Sequence, residues 1–102
     1  MANTFKNYVS SGVGTSEATV YTVPSSTTAV LIGCNIANVT SSQIKVTVKV
    51  ANTHVVKTVP VPANSALSVL DGKIIAETTD TVKVTSDTAS SVDVIVSVLE
   101  QT

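Results

Sequence analysis

Ile44-Lys45-Val46-Thr47-Val48-Lys49-Val50, echoed near the end by Val92-Asp93-Val94-Ile95-Val96-Ser97-Val98, decides the fold class of this chain. Successive side chains of a strand point to opposite faces, so Ile44, Val46, Val48 and Val50 share one apolar face while Lys45, Thr47 and Lys49 face water. A helix would scatter the same residues around its surface, where no core could use them. The final run differs in one respect: Val92, Val94, Val96 and Val98 make a core face, but Ile95 and Leu99 put apolar groups on the other side. A strand apolar on both faces is either covered or forms a subunit contact.

Outward from these two runs the punctuation is regular. Strands are predicted over 18–23, 28–38, 44–50, 54–61, 66–70, 73–76, 81–85 and 91–99. They are separated by Pro24-Ser25-Ser26, Val39 to Ser42, Asn52-Thr53, Asp71-Gly72 and Ser86 to Ser90. Val30, Ile32, Cys34 and Ile36 are expected to share the core face of the second of these, and Asp71-Gly72 to make a tight hairpin turn. Pro60 and Pro62 cannot donate to a ladder, which puts the end of their strand at a sheet edge. Eight or nine short strands at intervals of about ten residues make a single all-β domain, an antiparallel β-sandwich of Ig-like or jelly-roll-like type.

Residues 1–17 are polar and rich in Gly, Ser and Thr, and read as an N-terminal arm or an edge strand ahead of the sandwich domain 18–102. Phe5 and Tyr8 are two of the three aromatic residues in the chain. If the arm crosses to a neighbour they anchor it; otherwise it folds back on its own domain. Phe5, Tyr8, Ile95 and Leu99 are therefore the candidate subunit contacts, and low charge with apolar edges points to a homo-oligomer.

Composition narrows the function. The 102 residues include 20 Val and 16 Thr, with a net charge of −1. All six basic residues are lysine, so the bidentate fork that reads phosphates and base edges is missing, and no nucleic-acid partner is expected. No apolar run is long enough to span a membrane, and the first residues lack the apolar stretch of a secretion signal. His54 sits alone at a turn, outside any nucleophile motif, and Cys34 lies in a core-like strand. No catalytic residue, cofactor or metal site is expected. Asp71, Asp80, Asp87 and Asp93 stand at turns or strand ends, where Asp bonds its own backbone, and lack the spacing of a calcium loop. Gly12-Val13-Gly14 lacks the context of a dinucleotide loop, and Asn38-Val39-Thr40 matches a glycosylation acceptor by pattern alone.

The segments YTVPSSTTAVLIGCNIANVTSS and VPVPANSALSVLDGKIIAETTDTVKVTSDTASSVDVIVSVLE, with the MANTFKN start, resemble small virion structural proteins of tailed bacteriophages, of the T4-like cyanophage type. The resemblance covers most of residues 18–100 and supplies no catalytic residues. It implies a compact β-sandwich assembled into a virion in the host cytoplasm, with other capsid or tail proteins as partners. A head decoration protein is the first expectation and a neck, tail or baseplate component the second. A stand-alone sandwich module that binds a sugar or a surface protein, near Asp71-Gly72 or Asp87, is the reading from a different class.

Overall fold

The computed structural model describes residues 2–102 and contains two antiparallel sheets packed face to face, with no helix among the described residues. The strands are β1 (Asn3–Val13), β2 (Ala18–Thr22), β3 (Thr28–Asn38), β4 (Ile44–Val50), β5 (Thr53–Val61), β6 (Ala66–Ser68), β7 (Ile74–Ala76), β8 (Thr81–Ser86) and β9 (Val92–Gln101). One sheet has the order β1-β9-β3 with β6 and β7 both on the far side of β3; the other runs β2-β8-β4-β5. Within 1–17, expected as an arm or an edge strand, residues 3–13 pair along β9 from Asn3↔Gln101 to Val13↔Val92 and so form the edge of the first sheet.

Two readings of the sequence are corrected. Asp71-Gly72 does not close a hairpin, because β6 and β7 pair with β3 at Ala37↔Ala66 and Ala29↔Ala76 rather than with each other. They are two halves of one strand interrupted by residues 69–73, and Gly72 with φ 144° lets the chain bulge out and return. The second correction concerns β3, where the register shifts between Leu31 and Gly33 opposite β9. This bulge slips the alternation by one residue, so Ala29, Leu31, Cys34 and Ile36 are buried while Val30 and Ile32 are turned out.

Counting β6 and β7 as one strand leaves eight. They pair first with last, second with seventh, third with sixth and fourth with fifth, which is a hairpin rolled on itself: a jelly roll. The core between the sheets is the sum of the inward faces. Ile44, Val46 and Val48 of β4 and Val92, Val94, Val96 and Val98 of β9 are all essentially buried, as their alternation requires. Two turns are fixed by backbone chemistry. Ala51 and Asn52 both take positive φ (52° and 58°), the geometry that a two-residue hairpin needs to match strand twist, and this places the turn one residue before the expected Asn52-Thr53. β5, carrying Pro60, is the edge strand that its proline demands.

Polar groups that the roll buries are paired. Asn38, 2% exposed, has its Nδ2 within 2.8–3.1 Å of the carbonyls of Ser42, Val61 and Pro62, while its Oδ1 accepts from the amide and hydroxyl of Thr40 at 2.9 and 2.7 Å. The acceptor pattern at Asn38-Val39-Thr40 is thus a structural knot that ties β3 to the end of β5, and its amide is not free for a sugar. Ser86 and Ser91 share a buried hydrogen bond of 2.6 Å that closes the β8–β9 loop.

Candidate functional site

Residues directly opposite on paired antiparallel strands share a face, so the register fixes what the β1-β9-β3 sheet shows to solvent. Phe5 lies opposite Leu99, Leu99 opposite Val30, and Val30 opposite Ile75: one apolar row crossing four strands. Two residues along β9, Asn7, Ser97 and Gly33 make a row of small or neutral groups. Beyond it, Val9, Ile95, Asn35 and Ser68 make the next. Phe5 (73%), Val9 (70%), Ile75 (59%), Ile95 (45%) and Ile32 (40%) are the exposed apolar side chains of this surface. In the outward-facing rows from Ile95 to Asn3, Gln101 and Thr28 there is no charged residue; Lys6 and Glu100 fall in the alternate rows between them.

The surface is also not flat. Ser97 is short and Gly33 beside it has no side chain, so a hollow of about 260 Å³ opens between β1 and β3, lined by Phe5, Lys6, Asn7, Ile32, Ser97 and Val98. Ser97 donates to Asn7 Oδ1 at 2.8 Å across its floor. Phe5 stands at one wall and the bulged Ile32 at the other.

The structure brings together three of the four residues singled out from the sequence: Phe5, Ile95 and Leu99. Tyr8 lies on the opposite side of β1. Its ring stacks on Tyr21 of β2 with centroids 4.3 Å apart, and its hydroxyl donates to Glu100 Oε2 at 2.9 Å. Tyr21 donates to the same oxygen at 2.6 Å, and Lys6 Nζ stands 3.6 Å from Oε1. Glu100, 5% exposed, is therefore a buried carboxylate clasping the two sheets where β1 overhangs. The tyrosine hydroxyls, and then Lys6, hold its pKa below the usual glutamate value despite burial, which alone would raise it. Burial and the same carboxylate push both tyrosines above the ordinary phenol value.

Val9, Val30, Ile32 and Ile75 were not singled out from the sequence. For Val9 the signal is strand alternation once the neighbouring faces are assigned; for Val30 and Ile32, which alternation places on the core face, it is hidden by the bulge. The opposite outer face, on β2-β8-β4-β5, is of another character. Lys45, Lys49 and Lys83 stand there among threonines, with Lys49 bound to Glu17 at 3.0 Å. A second hollow, of about 300 Å³, lies where Asp71-Gly72 bulges, between Val55, Val69, Leu70, Lys73 and Ile74. His54 is exposed at the start of β5. Cys34 is buried, and desolvation raises its thiol pKa to about 11, which leaves it little thiolate. Among the described residues no three of His, Cys, Asp and Glu gather as a metal site would require. Compared with protein-family models and with curated proteins, the chain finds no match.

Proposed function

We propose that this chain is a non-catalytic structural protein of a tailed-phage virion, a head decoration protein in the first instance, whose apolar sheet face is covered in the assembled particle. The observation that carries the proposal is the uncharged row Phe5-Leu99-Val30-Ile75, flanked by Val9, Ile32 and Ile95. Lone exposed apolar residues are ordinary, but a contiguous set spanning a whole sheet marks an interaction surface. The resemblance of residues 18–100 to small phage virion proteins supplies the setting, assembly in a host cytoplasm with capsid or tail proteins as partners. Jelly rolls serve in capsids and also in lectins, so the fold supports the reading only by analogy. A neck, tail or baseplate position is the second version of the same proposal.

The sugar- or surface-binding module is favoured by one observation, the hollow beside Asp71-Gly72. Its lining holds no aromatic ring on which a sugar would stack, which ranks it below the structural role. Quantitative mass spectrometry of purified virions, counting this chain against the major shell protein, tests the proposal. A count comparable with the shell protein supports decoration, and a small multiple of the tail symmetry moves the chain to neck, tail or baseplate. Absence from the particle overturns the structural role and leaves the binding module.

A further inference from the structure

We infer that the outer face of the β1-β9-β3 sheet is a self-association surface on which a second copy of this chain seats across a two-fold axis, each copy's Phe5 entering the hollow over Ser97 of the other. The inference rests on the reading of this face as covered, and names what covers it. A two-fold contact uses the same patch on both partners, so the patch must be complementary to itself. Charge meets that condition. Like charges meeting near the axis would repel; the outward rows from Ile95 to Gln101 carry no charged residue, and Lys6, which lines the hollow, has its ammonium 3.6 Å from the Glu100 carboxylate.

Shape meets it as well. Phe5 is the one phenylalanine of the chain, 73% exposed, and projects beside a hollow of about 260 Å³ in the same face. The hollow is open to solvent and lined by Ile32 and Val98 together with the polar Lys6, Asn7 and Ser97, and its volume exceeds the ~150 Å³ that holds a benzene ring in an enclosed apolar cavity. The short Ser97 lines the hollow, and Gly33 opposite it on β3 adds no side chain; a Cβ built there would stand at an ordinary contact distance, 3.9 Å, from Ser97 Cβ. Knob and hole on one face, a few ångströms apart, are what two copies related by a local axis can exchange. Aromatic anchors seated in pockets are also where binding energy concentrates.

The arrangement separates like charges. It turns both lysine-bearing faces, with Lys45, Lys49 and Lys83, away from the contact and leaves them free for the particle. The area sets the strength. Four rows on four strands cover roughly 20 × 20 Å per copy, less than the ~800 Å² per partner of a standard interface. Pairing is therefore of the weak, concentration-dependent class.

Sedimentation equilibrium on the purified chain, from micromolar to millimolar concentration, tests this. The expected result is a mass rising from 10.4 kDa to twice that value. Phe5→Ala and Ile95→Lys, both on exposed positions, should raise the dissociation constant at least about tenfold while their circular dichroism spectra match the parent. Lys45→Glu, on the other face, should leave the mass curve unchanged. A parent that stays at 10.4 kDa throughout overturns the inference and gives the face to a different virion protein. A dimer that Phe5→Ala and Ile95→Lys both leave intact overturns it too, since the contact then lies elsewhere. The outcome is independent of the virion count: a chain absent from particles can still pair, and one present in them can still be monomeric.

Discussion

Replacing Asn38 should cost more than replacing any exposed residue of the chain, and the cost follows from its bonds. Asn38→Ala removes two donors that serve the carbonyls of Ser42, Val61 and Pro62, and an acceptor used twice by Thr40. The five contacts share two N–H donors and one twice-used acceptor, which amounts to four hydrogen bonds, and at 0.5–1.5 kcal/mol each these total roughly 2–6 kcal/mol. Ser42 is exposed and Thr40 half-buried, so water recovers part of this, whereas Val61 is fully buried and recovers nothing. A loss of about 3 kcal/mol remains, enough to lower Tm by roughly 10–25 °C in a domain of this size. Urea denaturation followed by circular dichroism measures it. Asn38→Asp sharpens the reasoning, because it keeps the acceptor for Thr40 but turns a carboxylate oxygen toward three carbonyls. That repulsion raises the folded-state pKa of the new carboxyl above its unfolded value of about 3.9. A raised folded pKa gives stability that is complete below the unfolded value and lost as pH rises through the folded one. The deficit of Asn38→Asp against the parent should therefore shrink on going from pH 7 to pH 5. An Asn38→Ala variant within 1 kcal/mol of the parent, or an Asn38→Asp deficit that ignores pH, would refute the account.

Glu100 should make the parent lose stability in acid. Its folded pKa is depressed, so its contribution is present above the unfolded value of about 4.3 and disappears as pH falls through the folded one. Denaturation midpoints of Glu100→Gln and the parent should converge below about pH 4, and parallel curves would show the clasp to be inert. Ala51→Gly removes a left-handed alanine that costs about 1–2 kcal/mol and adds about 0.5–1 of unfolded-state freedom. A net gain of about 0.5–1 kcal/mol should raise Tm in a calorimetric scan. Val96→Asp buries an unpaired charge at a fully buried position and should abolish the cooperative melt, while Lys45→Glu on the wet face should shift stability by about 0.5 kcal/mol or less. The reverse pattern would place the sheet register one residue out.

Where strands alternate without interruption, the sequence was enough. β4 and the core face of β9 could be assigned residue by residue, since period-two patterning and burial state the same constraint. Pro60 placed β5 at an edge through its missing donor. The failures share a cause, which is that an inserted residue changes what alternation means without announcing itself. At Ile32 the bulge on β3 exchanges the inner and outer sets. At Asp71-Gly72, residues typical of a hairpin serve instead as an excursion within one strand, because β3 offers a better partner than β6 and β7 offer each other. The apolar face was half legible: Phe5, Ile95 and Leu99 stood out, but Val30 and Ile75 join them only through a register that spans 94 residues of chain. Tyr8 was grouped with Phe5 as an anchor if the arm crossed to a neighbour; nothing local tells that Glu100, at the end of the valine alternation, would draw it inward.

The position of β9 has a consequence for how the molecule forms. It lies between β1 and β3, yet of the nine strands it is synthesised last. Until it emerges, β1 has no neighbour in its sheet and one flank of β3 is open. Folding must wait for β1 and β9 to meet, a non-local closure of the kind that makes rolled β proteins slow. During that interval the valine-rich strands present open hydrogen-bonding edges, and a nascent chain is most exposed to misassociation with its neighbours. Slowing translation of the β9 codons should therefore lower soluble yield more than the same slowing placed within β4 and β5.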